Sequence, residues 1–163
     1  MLIAIVSDTH NNYEIAEKVL AIIRKVKVKV VLHCGDIEDA ETVKLFQGTP
    51  THFVFGNCDT DREGLRRAIQ SSGGTLHEPF GNLELAGRKI AWLHGDDQRL
   101  FRDLENSGHF DFLFHGHTHQ VEEHRTGATR VINPGALYRA RLKTFALLDL
   151  THGRLETVAV SED

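Results

Sequence analysis

The chain has 163 residues, enough for one domain with a buried core, and we expect a single domain over residues 1–163. Its formal net charge of −4 argues against a domain that grips long nucleic acids, because such domains carry a clustered basic face. The sequence shows no apolar stretch of about eighteen residues and no secretory signal. Its two cysteines are too few for a disulfide framework, so we expect a cytoplasmic protein with no membrane partner.

The first half of the chain alternates buried strands with amphipathic helices. Residues 2–6 form a continuous apolar run, which is typical of a strand buried on both faces. Asn12 can cap a helix whose apolar residues repeat at helical spacing as far as Val26. The same alternation predicts strands at 30–32 and 53–55, and helices near 39–47 and 61–71.

From about residue 75 the pattern changes to short strands. Residues 83–85 and 89–93 flank a turn at residues 86–88, as in a β-hairpin. A helix near 97–106, capped by Asp96 or Asp97, and further strands follow, at 112–114, 121–125, 129–133, 144–150 and 154–160. A βαβαβ half followed by a β-rich half predicts an α/β fold in which two sheets pack face to face, flanked by helices.

Polar residues follow five of the apolar strands at the point where each strand ends. In open α/β sheets the carboxyl ends of the strands form the crevice in which ligands bind. Each pattern alone has an ordinary explanation, such as a helix cap, a turn or a buried imidazole. Burying all of them together without cations would be costly, so the sequence predicts a metal site. Its candidate ligands are Asp8, His10, Asp36, Asn57, His94, His117 and His119.

The number and type of these donors indicate the chemistry. Seven side chains are too many for one ion that must also admit substrate and water, whereas they suit two ions with one bridging carboxylate. Mixed imidazole and carboxylate ligands favour Mn, Fe, Zn, Ni or Co over Ca or Mg, and we expect Mn first. Two such ions about 3.5–4 Å apart can clamp a phosphate and activate a water. We therefore predict hydrolysis of a small phosphate ester.

The order of these motifs resembles that of the calcineurin-like metallophosphoesterase superfamily. The resemblance spans residues 2–150, and the short length is similar to the smallest branch, the bacterial and archaeal phosphodiesterases related to the retromer scaffold subunit. The run Val131–Gly135 also resembles a loop of that branch. The matching motifs are Asp8-x-His10, Gly35-Asp36, Gly56-Asn57-x-Asp59, His94-Gly95 and Gly116-His117-Thr118-His119.

The resemblance implies a two-sheet β-sandwich with helices outside (αββα) and a role for each matching residue. The ligands of the first metal would be Asp8, His10, Asp36 and His119. Asp36 would bridge, and Asn57, His94 and His117 would complete the second metal. Asn57 and His94 would also contact the substrate, while Asn133 and Gly135 would shape the rim. A water between the ions would be the nucleophile.

The sequence departs from the family pattern at two positions. Many members have His after the Gly-Asn pair, where it can protonate the leaving group, but this chain has Cys58, and a thiol is a poorer acid at neutral pH. Cys58 and Asp59 are the candidates for that role, and the alternative for Cys58 is a small side chain with no role. Asp96 stands where a third histidine often follows His94-Gly95.

Other readings of the sequence remain open. The chain could be a non-enzymatic scaffold of the retromer-subunit type, or a phosphomonoesterase or nucleotide hydrolase. Because good donors fill every ligand position, we favour an enzyme. We expect the unmatched histidines to be surface or core residues, with His33 and His115 on the opposite faces of their strands. A disulfide between Cys34 and Cys58 is conceivable but not expected in a reducing cytosol.

Overall fold

The structure, a computed structural model, describes residues 1–161. Within that range the helices are α1 (Tyr13–Lys25), α2 (Ala40–Leu45), α3 (Arg62–Ser71) and α4 (Gln98–Asn106). The strands are β1 (Leu2–Val6), β2 (Val30–His33), β3 (Thr51–Phe53), β4 (Thr75–Leu76), β5 (Gly81–Leu85), β6 (Arg88–Trp92), β7 (Phe112–Phe114), β8 (Val121–Thr126), β9 (Thr129–Pro134), β10 (Lys143–Asp149) and β11 (Arg154–Val160). No described helix is long and apolar enough to cross a membrane.

The strands form two sheets. The six-stranded sheet has the order β11-β10-β1-β2-β3-β4 and the five-stranded sheet has the order β5-β6-β7-β9-β8. Strands β1 to β4 are parallel, as are β6, β7 and β9. The last two strands return to the first sheet, where β10 pairs antiparallel with β1. The carboxyl ends of the parallel strands are therefore available to form one cleft.

The apolar side chains fill three interfaces between four layers. Because side chains alternate along a strand, Ala4 and Val6 pack with α1, α2 and α3, whereas Ile3 and Ile5 pack against the second sheet. On the far side of the second sheet, Leu93 lies in a cluster that includes residues of α4. The predicted αββα architecture is confirmed.

Three details of the prediction were wrong or missing. Strand β3 ends at Phe53, two residues before the predicted end, because the apolar run continues as buried side chains beyond the hydrogen-bonded ladder. Strand β4 has only two residues and lacks a buried apolar run, so nothing in the sequence signalled it. Asn12 makes no capping hydrogen bond. Its Nδ2 atom donates instead to the Leu137 carbonyl, 2.7 Å away. Asp97 caps α4, as predicted.

Candidate metal centre

The loops that follow β1, β2, β3, β6 and β7 meet at one edge of the sandwich. They carry all seven predicted ligands into one cleft: Asp8, His10, Asp36, Asn57, His94, His117 and His119. Asp8, Asp36 and His94 form the buried floor, with at most 2% of each residue exposed. Asn57 and His117 are exposed at the rim.

A first group of donor atoms surrounds the Oδ1 atom of Asp8. His119 Nε2 lies 3.1 Å from this oxygen and His10 Nε2 lies 3.7 Å from it. The two Nε2 atoms are 3.3 Å apart. His10 Nε2 is also 3.4 Å from Asp36 Oδ2. We call these four residues the first donor group.

A second group of donor atoms lies on the other side of Asp36. His94 Nε2 is 3.2 Å from Asp36 Oδ2 and 2.9 Å from Asn57 Oδ1. His117 Nδ1 is 3.1 Å from the same amide oxygen. Asn57, His94 and His117 with Asp36 form the second donor group. Asp36 Oδ2 faces both groups, which is the position that a bridging carboxylate requires.

The protonation pattern of the imidazoles shows that this cluster needs a cation. His94 Nδ1 lies 2.8 Å from the Cys34 carbonyl oxygen and must donate to it, which leaves the lone pair of Nε2 facing the cleft. His10 Nδ1 lies 2.5 Å from Glu38 Oε1, so in the neutral ring the lone pair of Nε2 likewise faces the cleft. Asp8 Oδ1 is buried and faces the imidazole nitrogens of His119 and His10. Lone pairs of oxygen and nitrogen therefore converge, and a metal ion satisfies them.

The pKa values of the carboxylates and imidazoles in the cluster are shifted by their contacts with one another. Burial acts to raise the pKa of Asp8, but hydrogen bonds with His10 and His119 hold it well below its ordinary value. Burial acts to lower the pKa of His10, but Asp8 and Glu38 together raise it to about 9. The pKa of Asp36 is lowered, despite burial, by His94. These carboxylates are ionised at neutral pH.

The backbone of the cleft loops is strained. Eight residues other than glycine lie there with positive φ: Asp8, His10, Asn11, Asp36, Glu38, His117, His119 and Arg139. Such conformations are uncommon outside glycine and cluster at functional sites. Glycines allow the loops to approach closely. A Cβ on Gly116 would lie 1.8 Å from Ser7 Oγ, and one on Gly56 would lie 2.1 Å from Asp36 Oδ1.

Glu38 is a site residue that the sequence analysis missed. Its carboxylate orients the His10 ring through Nδ1 and accepts a hydrogen bond from Asn11 Nδ2 at 3.2 Å. A carboxylate behind a ligating imidazole is a common device in metal sites. The only sequence signal was its position two residues after Asp36, which is not specific.

The two candidate catalytic acids have different surroundings. The Asp59 carboxylate accepts backbone N–H bonds from Asp36, Ile37, Glu38 and Gly56 at 2.7–3.0 Å. It therefore anchors two loops through hydrogen bonds with backbone N–H groups. Burial and the charge of Asp36 raise the pKa of the Cys58 thiol to about 11, which makes it a weak acid. Both Cys34 and Cys58 are free thiols, as expected.

The remaining predicted residues support the loops. Asn133 Nδ2 donates to the Gly116 carbonyl and to Thr118 Oγ1, each at 3.0 Å, and its Oδ1 accepts from Gly135 N. Asn133 thus holds the loop that carries His117 and His119. His33 packs against Phe46 and Phe53, and His115 packs against Phe101. Both lie on the outer faces of their sheets, as predicted.

The cleft opens into a pocket of about 510 Å³ beside the first donor group. Five of the predicted ligands line this pocket, together with Asn11, Glu38, Cys58, Tyr138 and Arg139. Tyr138 and Arg139 belong to the segment between β9 and β10, of which only Gly135 was predicted to lie at the site.

Comparison with known proteins agrees with this geometry. The sequence matches the calcineurin-like phosphoesterase superfamily domain over residues 1–153. It is 29% identical over 154 residues to a phosphodiesterase of Methanocaldococcus jannaschii, covering 91% of this chain and 93% of that protein.

Solved structures share the fold. An archaeal phosphodiesterase superposes with a TM-score of 0.91 at 26% identity, covering 98% of this chain and 100% of the other. Vps29 of Entamoeba histolytica in complex with Zn²⁺ superposes with a TM-score of 0.68 at 19% identity, covering 98% of each chain, and shows a common fold. The predicted resemblance and the predicted hydrolase class are confirmed: the chain belongs to the calcineurin-like phosphoesterase superfamily, a metal-dependent family.

Proposed function

We propose that this protein is a phosphodiesterase that hydrolyses small phosphate diesters with two divalent metal ions. The proposal rests on the position of Asp36 Oδ2 between the two donor groups. This oxygen lies 3.4 Å from His10 Nε2 and 3.2 Å from His94 Nε2. One oxygen shared by two sets of convergent donors fits a dinuclear centre better than a single ion.

Different residues would hold the two metal ions and orient their ligands. Asp8, His10 and His119 would hold one ion, and Asn57, His94 and His117 the other, with Asp36 between them. When bound, such a metal pair polarises the phosphate and lowers the pKa of a water molecule, which supplies the nucleophile. Glu38 and the Cys34 carbonyl keep the two imidazoles oriented with Nε2 toward the cleft. The substrate phosphate would contact Asn57 at the exposed rim and His94 on the buried floor next to it.

The diester preference and the cellular setting are further parts of the proposal. The relatives named above as phosphodiesterases support it, and the open pocket leaves space for organic groups around the phosphate. We propose manganese as the native metal, because imidazole and carboxylate donors suit it. Free cysteines fit a reducing compartment, so we place the protein in the cytoplasm.

The absence of a strong acid near the pocket should decide which esters react. Within residues 1–161 every imidazole that lines the pocket is one of the assigned metal ligands, and the Cys58 thiol is a weak acid. A phenolate with a low pKa departs without a proton, whereas an alkoxide needs one. We therefore propose that activated diesters are hydrolysed far faster than alkyl diesters.

A metal titration tests the proposal. Protein stripped with a chelator is reconstituted with increasing Mn²⁺, and both the bound metal and the rate of bis(4-nitrophenyl) phosphate hydrolysis are measured at each step. We expect bound metal and activity to reach their plateaus at two ions per chain. Saturation of binding and of activity at a single ion would overturn the dinuclear assignment.

A series of aryl diesters tests the proposed absence of a proton donor. Hydrolysis rates should fall steeply as the pKa of the leaving group rises. A flat dependence, with chemistry as the rate-limiting step, would reveal an unidentified proton donor.

A further inference from the structure

The segment of residues 135–142, which joins β9 to β10 and which we call the recognition loop, is clamped against the metal centre. Leu137 N donates to the Asp8 carbonyl at 3.2 Å, and Asn12 Nδ2 donates to the Leu137 carbonyl at 2.7 Å. Thr144 N donates to the Ala136 carbonyl at 3.1 Å. These bonds tie the loop to β10 and to the Asp8 loop, so its next two residues have a defined place beside the first donor group.

Those next residues are Tyr138 and Arg139. The Tyr138 ring centre lies 5.4 Å from that of His10, and the Arg139 guanidinium carbon lies 5.1 Å from the centre of the Tyr138 ring. A guanidinium over an aromatic face is weakly attracted to it. The aromatic ring thus holds the cation at the mouth of the pocket while leaving the exposed guanidinium able to move.

The charge of the pocket singles out Arg139. Its lining includes the carboxylates of Asp36 and Glu38, and among the described residues Arg139 is its only lysine or arginine. Within residues 1–161 no carboxylate forms an ion pair with this guanidinium, although most other arginines near acidic residues do pair. A cation that forms no ion pair within residues 1–161, beside a site for phosphate, is available to an anionic ligand.

We propose that Arg139 is a substrate-binding residue that holds a non-bridging oxygen pair of the diester phosphate, with Tyr138 as the residue that positions it. This inference rests on the proposed function and names its substrate class: monoanionic phosphodiesters. The planar guanidinium matches two phosphate oxygens in a fork that a lysine cannot reproduce. A diester at neutral pH carries one negative charge spread over two non-bridging oxygens, and these are the two atoms that such a fork contacts.

The backbone of Arg139 has a separate role, and this separation makes the side chain testable. A hydrogen bond with the Arg139 backbone, behind the larger effect of Asp8, helps to raise the pKa of His119. A change of the side chain leaves that backbone bond available. Metal binding and substrate binding can therefore be affected independently.

The test compares Arg139→Ala and Arg139→Lys with Arg141→Ala, which removes the same charge from an exposed position of the recognition loop outside the pocket. Binding of diphenyl phosphate, a poorly reactive diester, is measured by calorimetry on the manganese-loaded proteins. Turnover of bis(4-nitrophenyl) phosphate is measured on the same samples. Losing a charge-assisted bidentate contact should weaken binding in Arg139→Ala by roughly 10- to 100-fold. KM should rise in parallel, Arg139→Lys should recover part of the loss, and Arg141→Ala should stay within about twofold of the parent.

Metal content is determined on every sample and decides between the possible results. Arg139→Ala that binds diphenyl phosphate as tightly as the parent, with equal metal content, would overturn the inference and leave the proposed function intact. A loss of metal in Arg139→Ala would also overturn it, because the residue would then act through His119. A parent protein that takes up fewer than two ions and hydrolyses no diester would overturn the proposed function and this inference together.

Discussion

The two donor groups of the cleft share Asp36 but differ in charge and burial. The first group contains two carboxylates, Asp8 and Asp36, and a third carboxylate, Glu38, stands behind His10. The second group adds only the neutral Asn57 amide and two imidazoles to Asp36. Asp8 is fully buried, whereas Asn57 and His117 are exposed. Without an ion, the first group depends on the proton of His10 to offset its buried carboxylates, and buried charge is costly when it is poorly compensated. We therefore expect the first ion to be held tightly and the second to exchange.

The largest effect should come from the residue that both groups share. Asp36→Ala removes the oxygen that faces His10 and His94, so both ions should be lost and diester hydrolysis should fall to background. Elemental analysis of reconstituted protein measures the loss. A variant that keeps both ions would show that the two groups do not depend on a common bridge.

Substitutions confined to one group should then separate the two ions. Asn57→Ala should retain one tightly bound ion, because the first group is untouched. Asp8→Asn removes a buried charge from the first group. It should therefore release the first ion, which the parent protein binds more tightly than the second. Metal retained after dialysis against a weak chelator is compared between the two variants. Equal losses would mean that charge and burial do not distinguish the groups.

Removing the charge of the carboxylate that orients His10 should have a smaller effect on metal affinity, confined to the first donor group. Glu38→Gln keeps the size of the side chain but loses the charge that orients Nδ1. Changes of this kind typically weaken metal affinity by about 10- to 100-fold. Chelator competition should show that loss for the tighter ion and little change for the other. Glu41→Gln, an exposed change on α2, is the matched control and should behave as the parent.

Protons and metal compete for the first group, and this predicts a pH dependence of stability. The metal-free folded protein holds the His10 pKa at about 9 against an ordinary value of 6.5. The contribution of His10 to stability is therefore complete below about pH 6.5 and is lost as the pH rises through about 9. Melting temperatures of metal-free protein should fall over this interval.

Two comparisons isolate this effect. In metal-loaded protein the ion takes the place of the proton, so the decline should be absent. In metal-free His10→Gln it should be reduced, with the remainder due to His94 and His119, whose pKa values are also raised. An unchanged decline in His10→Gln would contradict the assignment.

The smallest effect should come from Cys58, which stands beside the second group. Cys58→Ser should leave the turnover of activated diesters within a few-fold of the parent, because the thiol is a weak acid and its backbone N–H keeps its bond to Asp36. Cys58→His should speed the hydrolysis of esters with poor leaving groups by up to about 10²-fold. Loss of all activity in Cys58→Ser with both ions bound would assign the thiol a direct role.

Part of the metal centre could be predicted from the sequence alone. Asp8, Asp36 and His94 each follow a buried apolar strand, and parallel strands deliver their carboxyl ends to a common edge. Their convergence is therefore a consequence of local pattern and strand direction. The cap at Asp97 is local in the same way, since its carboxylate binds an N–H three residues away.

Other parts of the site depended on contacts between distant segments. Glu38 reaches His10 across 28 positions, and Asn12 turns from its expected capping role to a carbonyl 125 positions away. Asp59 appeared to belong to a catalytic motif, but its carboxylate is occupied by amides of two loops. No local pattern encodes such pairings.

The sequence by itself determined the strand-and-helix alternation, the ligand types and the edge at which they meet, because these follow from side-chain periodicity and strand direction. Only the tertiary structure decided which nitrogen of each imidazole faces the cleft, which carboxylate is shared, and that Arg139 lies at the mouth of the pocket. The physical reason lies in the loops. Their positive φ angles and long-range hydrogen bonds are stable only when both sheets are packed, so no short stretch of the chain specifies them alone.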